Sequence, residues 1–121
     1  MKKDKIIYWT ATGLVAVSML VSAFLYLSRN EELIKNFQTI GIPLYLVMLL
    51  GTAKLIGAIL LLAPVAARFK EWAYAGFLFT FAGAIWTHAA TSTPWIAPLI
   101  SLVVLGISYI YWNKIKMATA N

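Results

Sequence analysis

The chain has 121 residues, 62% of them hydrophobic and only 12% charged. A soluble domain carries about 25% charged residues and, at this length, is mostly surface, so the composition excludes a soluble fold and points to a lipid-facing exterior. The net charge of +6 sits mostly at segment ends, which argues against nucleic-acid binding. The absence of cysteine excludes disulfides and thiolate chemistry by this chain.

A membrane-spanning helix needs about 20 apolar residues. Four stretches fit: 6–27, 44–63, 72–90 and 94–112. The expected fold class is therefore all-α, an antiparallel four-helix transmembrane bundle forming one domain over 1–121. A short extracytoplasmic helix is expected between the first two spans.

The first span follows MKKDK and contains Val21-Ser22-Ala23, which resembles a signal-peptide cleavage site. Its apolar run is longer than the 7–15 residues of a typical signal core and continues past Ala23, so a retained helix is expected. Ala11, Ser18 and Ser22 form its small-residue stripe. The connection 28–43 reads as a capping box at Ser28 and Glu31, followed by Leu33, Ile34 and Phe37 on one face. A short surface helix covering the bundle mouth accounts for that pattern, with Gly41 and Pro43 ending it.

The second span holds Lys54 near its middle, among eight Leu, two Ile and one Val. Those eleven residues favour insertion by roughly 3–7 kcal/mol, and a central lysine removes about 2.5–3.5 kcal/mol of it. Gly51, Gly57 and Ala58 lie at helical spacing around Lys54, so this face should look inward. The lysine is too deep to reach the interface by snorkelling alone. Ser18, Ser22, Thr80 or a carbonyl can accept from it. Glu31 or Glu32 can also dip inward, or the amine can be held neutral.

The turn 64–71 is short and basic, with Glu71 near a helix start where the dipole favours negative charge. The third span repeats small residues at Gly76, Thr80, Gly83 and Thr87, a helical period, and such stripes favour close helix packing in lipid. Phe77, Phe79, Ile85, Leu102 and Val103 are left for lipid or the bundle periphery. His88 is the chain's single histidine and, without cysteine or nearby acids, makes a poor metal site; a hydrogen-bonded interface histidine is expected, with a proton or ligand contact at an outward cavity as the alternative. After the turn Thr91-Ser92-Thr93, Pro94 and Pro98 open the fourth span, whose stripe is Ala97, Pro98, Ser101 and Ser108.

Seven basic residues (Lys2, Lys3, Lys5, Arg68, Lys70, Lys114, Lys116) fall on one side of this topology and two (Arg29, Lys35) on the other. The bias places both termini in the cytoplasm. Tyr8, Trp9, Trp72, Tyr74, Tyr109, Tyr111 and Trp112 are expected as the inner aromatic belt, with Tyr26, Tyr45 and Trp95 outside. The candidate ligand-binding set is Lys54, His88, Tyr45, Thr80 and Trp86. No catalytic residue is assigned.

Pro43-Leu44-Tyr45, Gly51-Thr52-Ala53-Lys54-Leu55-Ile56-Gly57, Pro64 and above all Lys70-Glu71-Trp72-Ala73-Tyr74-Ala75-Gly76-Phe77 resemble the DoxX-like membrane proteins. His88 and Ser108-Tyr109 stand where that pattern also has a histidine and a serine-tyrosine pair. The resemblance implies a four-helix, mostly bacterial membrane protein, hence the inner membrane. The family's name comes from a subunit associated with thiosulfate:quinone oxidoreductase, and relatives are linked to redox-stress complexes. Fold-level likeness does not carry an activity across.

Three functions stay open. The first, and the one expected, is a non-catalytic bundle that binds an amphipathic or quinone-like molecule or supports a membrane complex. The second is a membrane subunit of a quinone-linked oxidoreductase, which would need quinone or a redox partner for electrons. The third is a small transporter, weakly supported because no broken-helix pair or repeat is visible. The bilayer, a membrane redox partner or further copies of the chain are the expected partners, and no cofactor is firmly implied.

Overall fold

The computed structural model describes residues 2–120, with side chains for residues 2–117. Among them are five α-helices and no strand: α1 Lys2–Leu27, α2 Glu31–Thr39, α3 Leu44–Leu62, α4 Ala67–Ala90 and α5 Ile96–Ala120. Three of these, α1, α3 and α5, are long and apolar enough to cross a membrane. The 24-residue α4 is long enough but more polar, because Trp72, Tyr74, Trp86, Thr80, Thr87 and His88 interrupt its apolar residues.

The long helices pack as a ring. α1 lies against α3 and α5, and α4 closes the circuit by packing on both. Among the described residues the diagonal pairs make no close backbone approach, so side chains fill the centre. That centre is built from Tyr8, Val15, Ala16 and Met19 of α1, Ala58 and Leu61 of α3, Ala73, Tyr74, Phe77 and Phe81 of α4, and Leu105 and Trp112 of α5. Two glycines bring helices close. A Cβ on Gly51 would stand 2.7 Å from Tyr26 Cβ on α1, and one on Gly57 would stand 2.7 Å from Phe77 Cζ on α4.

Several expectations change. Asn30, not Ser28, caps α2: its side chain accepts from the Leu33 amide at 3.0 Å. Ser28 instead bonds back to Leu25 O beyond the end of α1, because Arg29 adopts a left-handed φ of 57° that separates the two helices. Gly41, at φ +89°, supplies the break before α3, a conformation that favours glycine.

The rotation of α4 is the larger correction. Gly76 and Gly83 face outward with nothing within 4 Å of an added Cβ. Thr80 bonds only its own helix, at Gly76 O. Phe77 is buried instead of peripheral. An aromatic face fills the wide centre of a four-helix ring better than glycine does, because a void there forfeits dispersion contacts. Ser18 and Ala97 are likewise exposed. Three members of the expected inner belt, Tyr8, Tyr74 and Trp112, are buried in the core, whereas Trp9 and Trp72 stay exposed.

Candidate functional site

The motif Lys70–Phe77 is where α4 is fastened to every other long helix. Lys70 extends to the end of α3 and donates to Leu60 O at 3.3 Å and Leu61 O at 2.8 Å. The last carbonyls of a helix lack intrahelical donors and carry the negative end of its dipole, so a buried ammonium is well placed there. One turn later the Tyr74 hydroxyl meets Ser108 Oγ at 2.7 Å, and Ser108 in turn meets Thr12 Oγ1 at 2.6 Å. All three residues are buried, so the chain of hydroxyls joins α4, α5 and α1 through the centre of the ring. Phe77 then seats its ring against Gly57 of α3.

Glu71 turns the other way, toward the outer face of the α4–α5 pair. Tyr109 donates its hydroxyl to both carboxylate oxygens, at 3.2 and 3.1 Å. Lys116 stands 3.8 Å away as an ion pair, with its ammonium 3.7 Å from the Trp112 ring centroid. Tyr74, Tyr109 and Trp112 form a contiguous aromatic cluster behind them. Beside this polar group a cleft of about 300 Å³ runs between α4 and α5. Ala75, Leu78, Leu102, Leu105 and Gly106 form its walls, and Glu71, Tyr74 and Tyr109 close one end. The spacing 71–78 and 102–109 makes it about 10 Å long at 1.5 Å per residue. Its lining is mostly apolar, with the polar groups of Glu71, Tyr74 and Tyr109 gathered toward one end.

Lys54 lies elsewhere, where α1 and α3 pack under α2. It is 9% exposed, donates to Ser22 Oγ at 2.8 Å and sits 4.0 Å from the centroid of the Tyr26 ring. Both contacts come from α1. Phe37 of α2 meets Tyr26 edge-on, with centroids 5.3 Å apart. Glu31 and Glu32 are exposed and form no ion pair with Lys54 among the described residues; Ser18 bonds Val15 O on its own helix. The other candidate residues do not join Lys54. His88 Nδ1 bonds Thr93 Oγ1 at 2.7 Å, tying down the α4–α5 turn beside a shallow depression. Tyr45 and Trp86 face outward, at 75% and 79% exposure.

Sequence reasoning passed over Glu71, Tyr109 and Lys116 as a unit. The signal that could have found it is helical register: Tyr109 and Lys116 are seven residues apart, two turns on one face, opposite the start of the antiparallel neighbour. The hydroxyl network was equally hidden, because Thr12, Tyr74 and Ser108 lie on three different helices.

An all-helical protein with an apolar exterior, three helices fit to cross a bilayer and polar groups gathered inside belongs to the helical membrane proteins. The DoxX-like family model matches residues 10–111, most of the chain, and the protein belongs to that family. The match spans both the Lys70–Phe77 motif and the Ser108–Tyr109 pair. No curated protein matches the chain, and no solved structure does.

Proposed function

We propose that the protein is a non-catalytic bundle of the bacterial inner membrane that crosses it four times, with both termini cytoplasmic, and holds a membrane amphiphile in the α4–α5 cleft. The observation that carries this reading is the cleft itself: apolar walls on the outer side of the α4–α5 pair, and a carboxylate held by a tyrosine at the end bearing the chain termini. Four crossings are supported by the ring packing of four long helices. The polar residues of α4 also bond inside the ring, as Tyr74 does, bond their own helix, as Thr80 does, or lie toward its ends.

The expected ligand position thereby shifts. Lys54 already has a hydrogen-bond acceptor and an aromatic face, and it lines neither the α4–α5 cleft nor the depression beside His88. It serves as a clamp between α1 and α3.

Native mass spectrometry from mild detergent tests the reading. The wild type should carry a co-purifying amphiphile, and Gly106→Phe should lose it, because a Cβ at Gly106 points into open space and a ring there enters the cleft. Equal adducts on both proteins would count against the cleft. Extraction identifies the molecule; a quinone together with a redox difference spectrum would favour the oxidoreductase-subunit reading instead. Single cysteines at Lys3 and Lys35, introduced into this cysteine-free chain, should label from opposite sides of the membrane.

A further inference from the structure

The polar end of the cleft selects among amphiphiles. Tyr109 has one hydroxyl proton, and the Glu71 carboxylate takes it. What remains for a ligand is acceptor capacity on Glu71, since an ionised carboxylate has about four lone-pair sites, and donors on Lys116, since an ammonium has three. The Glu71–Lys116 pair is loose at 3.8 Å, and both side chains are over a third exposed. An anionic acceptor therefore lines one end of an apolar groove, and a cationic donor stands beside it just outside the lining. A quinone head offers only carbonyl acceptors, which can take donors from Lys116 but leave the spare acceptor sites of Glu71 unused.

We infer that the occupant is a phospholipid whose head carries a primary ammonium and a phosphate, the ammonium on Glu71, the phosphate on Lys116 and an acyl chain along Leu78, Leu102 and Leu105. This rests on the reading that the cleft holds an amphiphile. A charge-assisted hydrogen bond to the carboxylate separates this head from a trimethylated one, which has the same charge and no N–H to donate. A glycerol head lacks the cation altogether. Lipid reaches the site laterally, because the groove opens on the outer surface of the α4–α5 pair.

The test is lipid exchange read by native mass spectrometry. Delipidated full-length protein is offered, separately and in competition, phosphatidylethanolamine, phosphatidylcholine, phosphatidylglycerol and an isoprenoid quinone. The wild type should prefer phosphatidylethanolamine over the other three by about tenfold, the discrimination expected from one charge-assisted hydrogen bond. Glu71→Gln should bring that lipid down to the level of phosphatidylcholine. Lys116→Gln should weaken both zwitterionic lipids together and keep their ratio; it provides a second reading should Glu71→Gln fold poorly. A ratio unchanged by Glu71→Gln, or abolished by Lys116→Gln, would overturn the assignment. So would equal binding of all four molecules, or a preference for the quinone. In those cases a loss of every adduct in Gly106→Phe still upholds the cleft as an amphiphile site, whereas adducts that persist in Gly106→Phe overturn the cleft and the head-group assignment together.

Discussion

The two ends of the bundle are held by different means. At the end carrying the chain termini, all four long helices interlock: Lys70 on the α3 carbonyls, Tyr74–Ser108–Thr12 across the centre, Phe77 on Gly57, and Glu71 with Tyr109 and Lys116. At the α2 end only α1 and α3 stay tight, through Gly51, Lys54, Ser22 and Tyr26. There α4, α5 and the turn between them present Trp86, Trp95, Ile96 and Ile100 outward. In lipid, helices gain little from burying apolar surface, so packing and interhelical hydrogen bonds decide where they hold together. Stability should therefore concentrate at the terminal end, and substitutions at the two ends should differ most where geometry differs most.

Phe77→Ala should produce the largest loss, about 3–5 kcal/mol for emptying a large buried site, measured by steric trapping or melting in bicelles. Phe79, two residues on and 76% exposed, provides the control: Phe79→Ala should move stability by about 0.5 kcal/mol or less. Equal losses would mean that α4 is rotated from the orientation described. Next comes Ser108→Ala. It strips the Tyr74 and Thr12 hydroxyls of their shared partner in a dry centre, at about 1–3 kcal/mol. Thr93→Ala, which breaks the His88 contact at the opposite end, should cost far less because that turn reaches water. A double-mutant cycle on Tyr74→Phe and Ser108→Ala should show coupling of about 0.6 kcal/mol, the average for interhelical hydrogen bonds in a membrane, and no more than about 1.7. Zero coupling would break the network.

These contrasts also mark what the amino-acid order made legible. Span length and hydrophobicity locate both ends of α1 and α3 and the start of α5 to within a few residues, because insertion depends on summed apolar character; α5 continues to Ala120, past the expected end at 112, since a helix can run on after its apolar stretch stops. The inward face of α3 was readable from Gly51, Lys54, Gly57 and Ala58, since a buried cation must avoid lipid and glycines permit close approach. Ser22 was among the acceptors foreseen for Lys54. The face of α4 was misread. Two stripes share that helix, one small and one aromatic, and a ring of four leaves a wide centre that Tyr74, Phe77 and Phe81 fill. Choosing between them requires knowing how far apart the diagonal helices lie, a tertiary quantity that periodicity does not contain. The Glu71–Tyr109–Lys116 group was missed for the same reason: each member has an adequate local explanation at a helix end.

Lys54→Met sharpens the comparison at smaller amplitude. Removing the amine relieves its desolvation, worth about 2.5–3.5 kcal/mol to insertion, and forfeits the Ser22 bond and the Tyr26 contact. The two nearly offset, as they do when a buried ionic group is replaced by an apolar one of similar volume. A net change under about 1 kcal/mol is expected, with amphiphile occupancy of the α4–α5 cleft unaltered in native mass spectra. Loss of occupancy would return the ligand site to Lys54. Ser22→Ala, which keeps the amine and removes its acceptor, should be the more harmful substitution by about 1–3 kcal/mol.

The smallest global effect is expected at Phe37. Its ring meets Tyr26, and α2 otherwise makes few approaches to α1 and α3. Phe37→Ala removes an aromatic pair worth about 0.5–1.5 kcal/mol beyond area burial, but the loss falls on the docking of α2, which can lift without opening the ring. The melting temperature should hardly change. Amide exchange within 31–39 should accelerate by roughly tenfold at most, while protection around Ser108 stays as in the wild type. If protection at Ser108 also fell, the two ends would be one cooperative unit, and the division between an interlocked end and a loose one would fail. If exchange accelerated at Tyr26 and Lys54 as well, Phe37 would be the roof of the α1–α3 clamp as well as the anchor of α2.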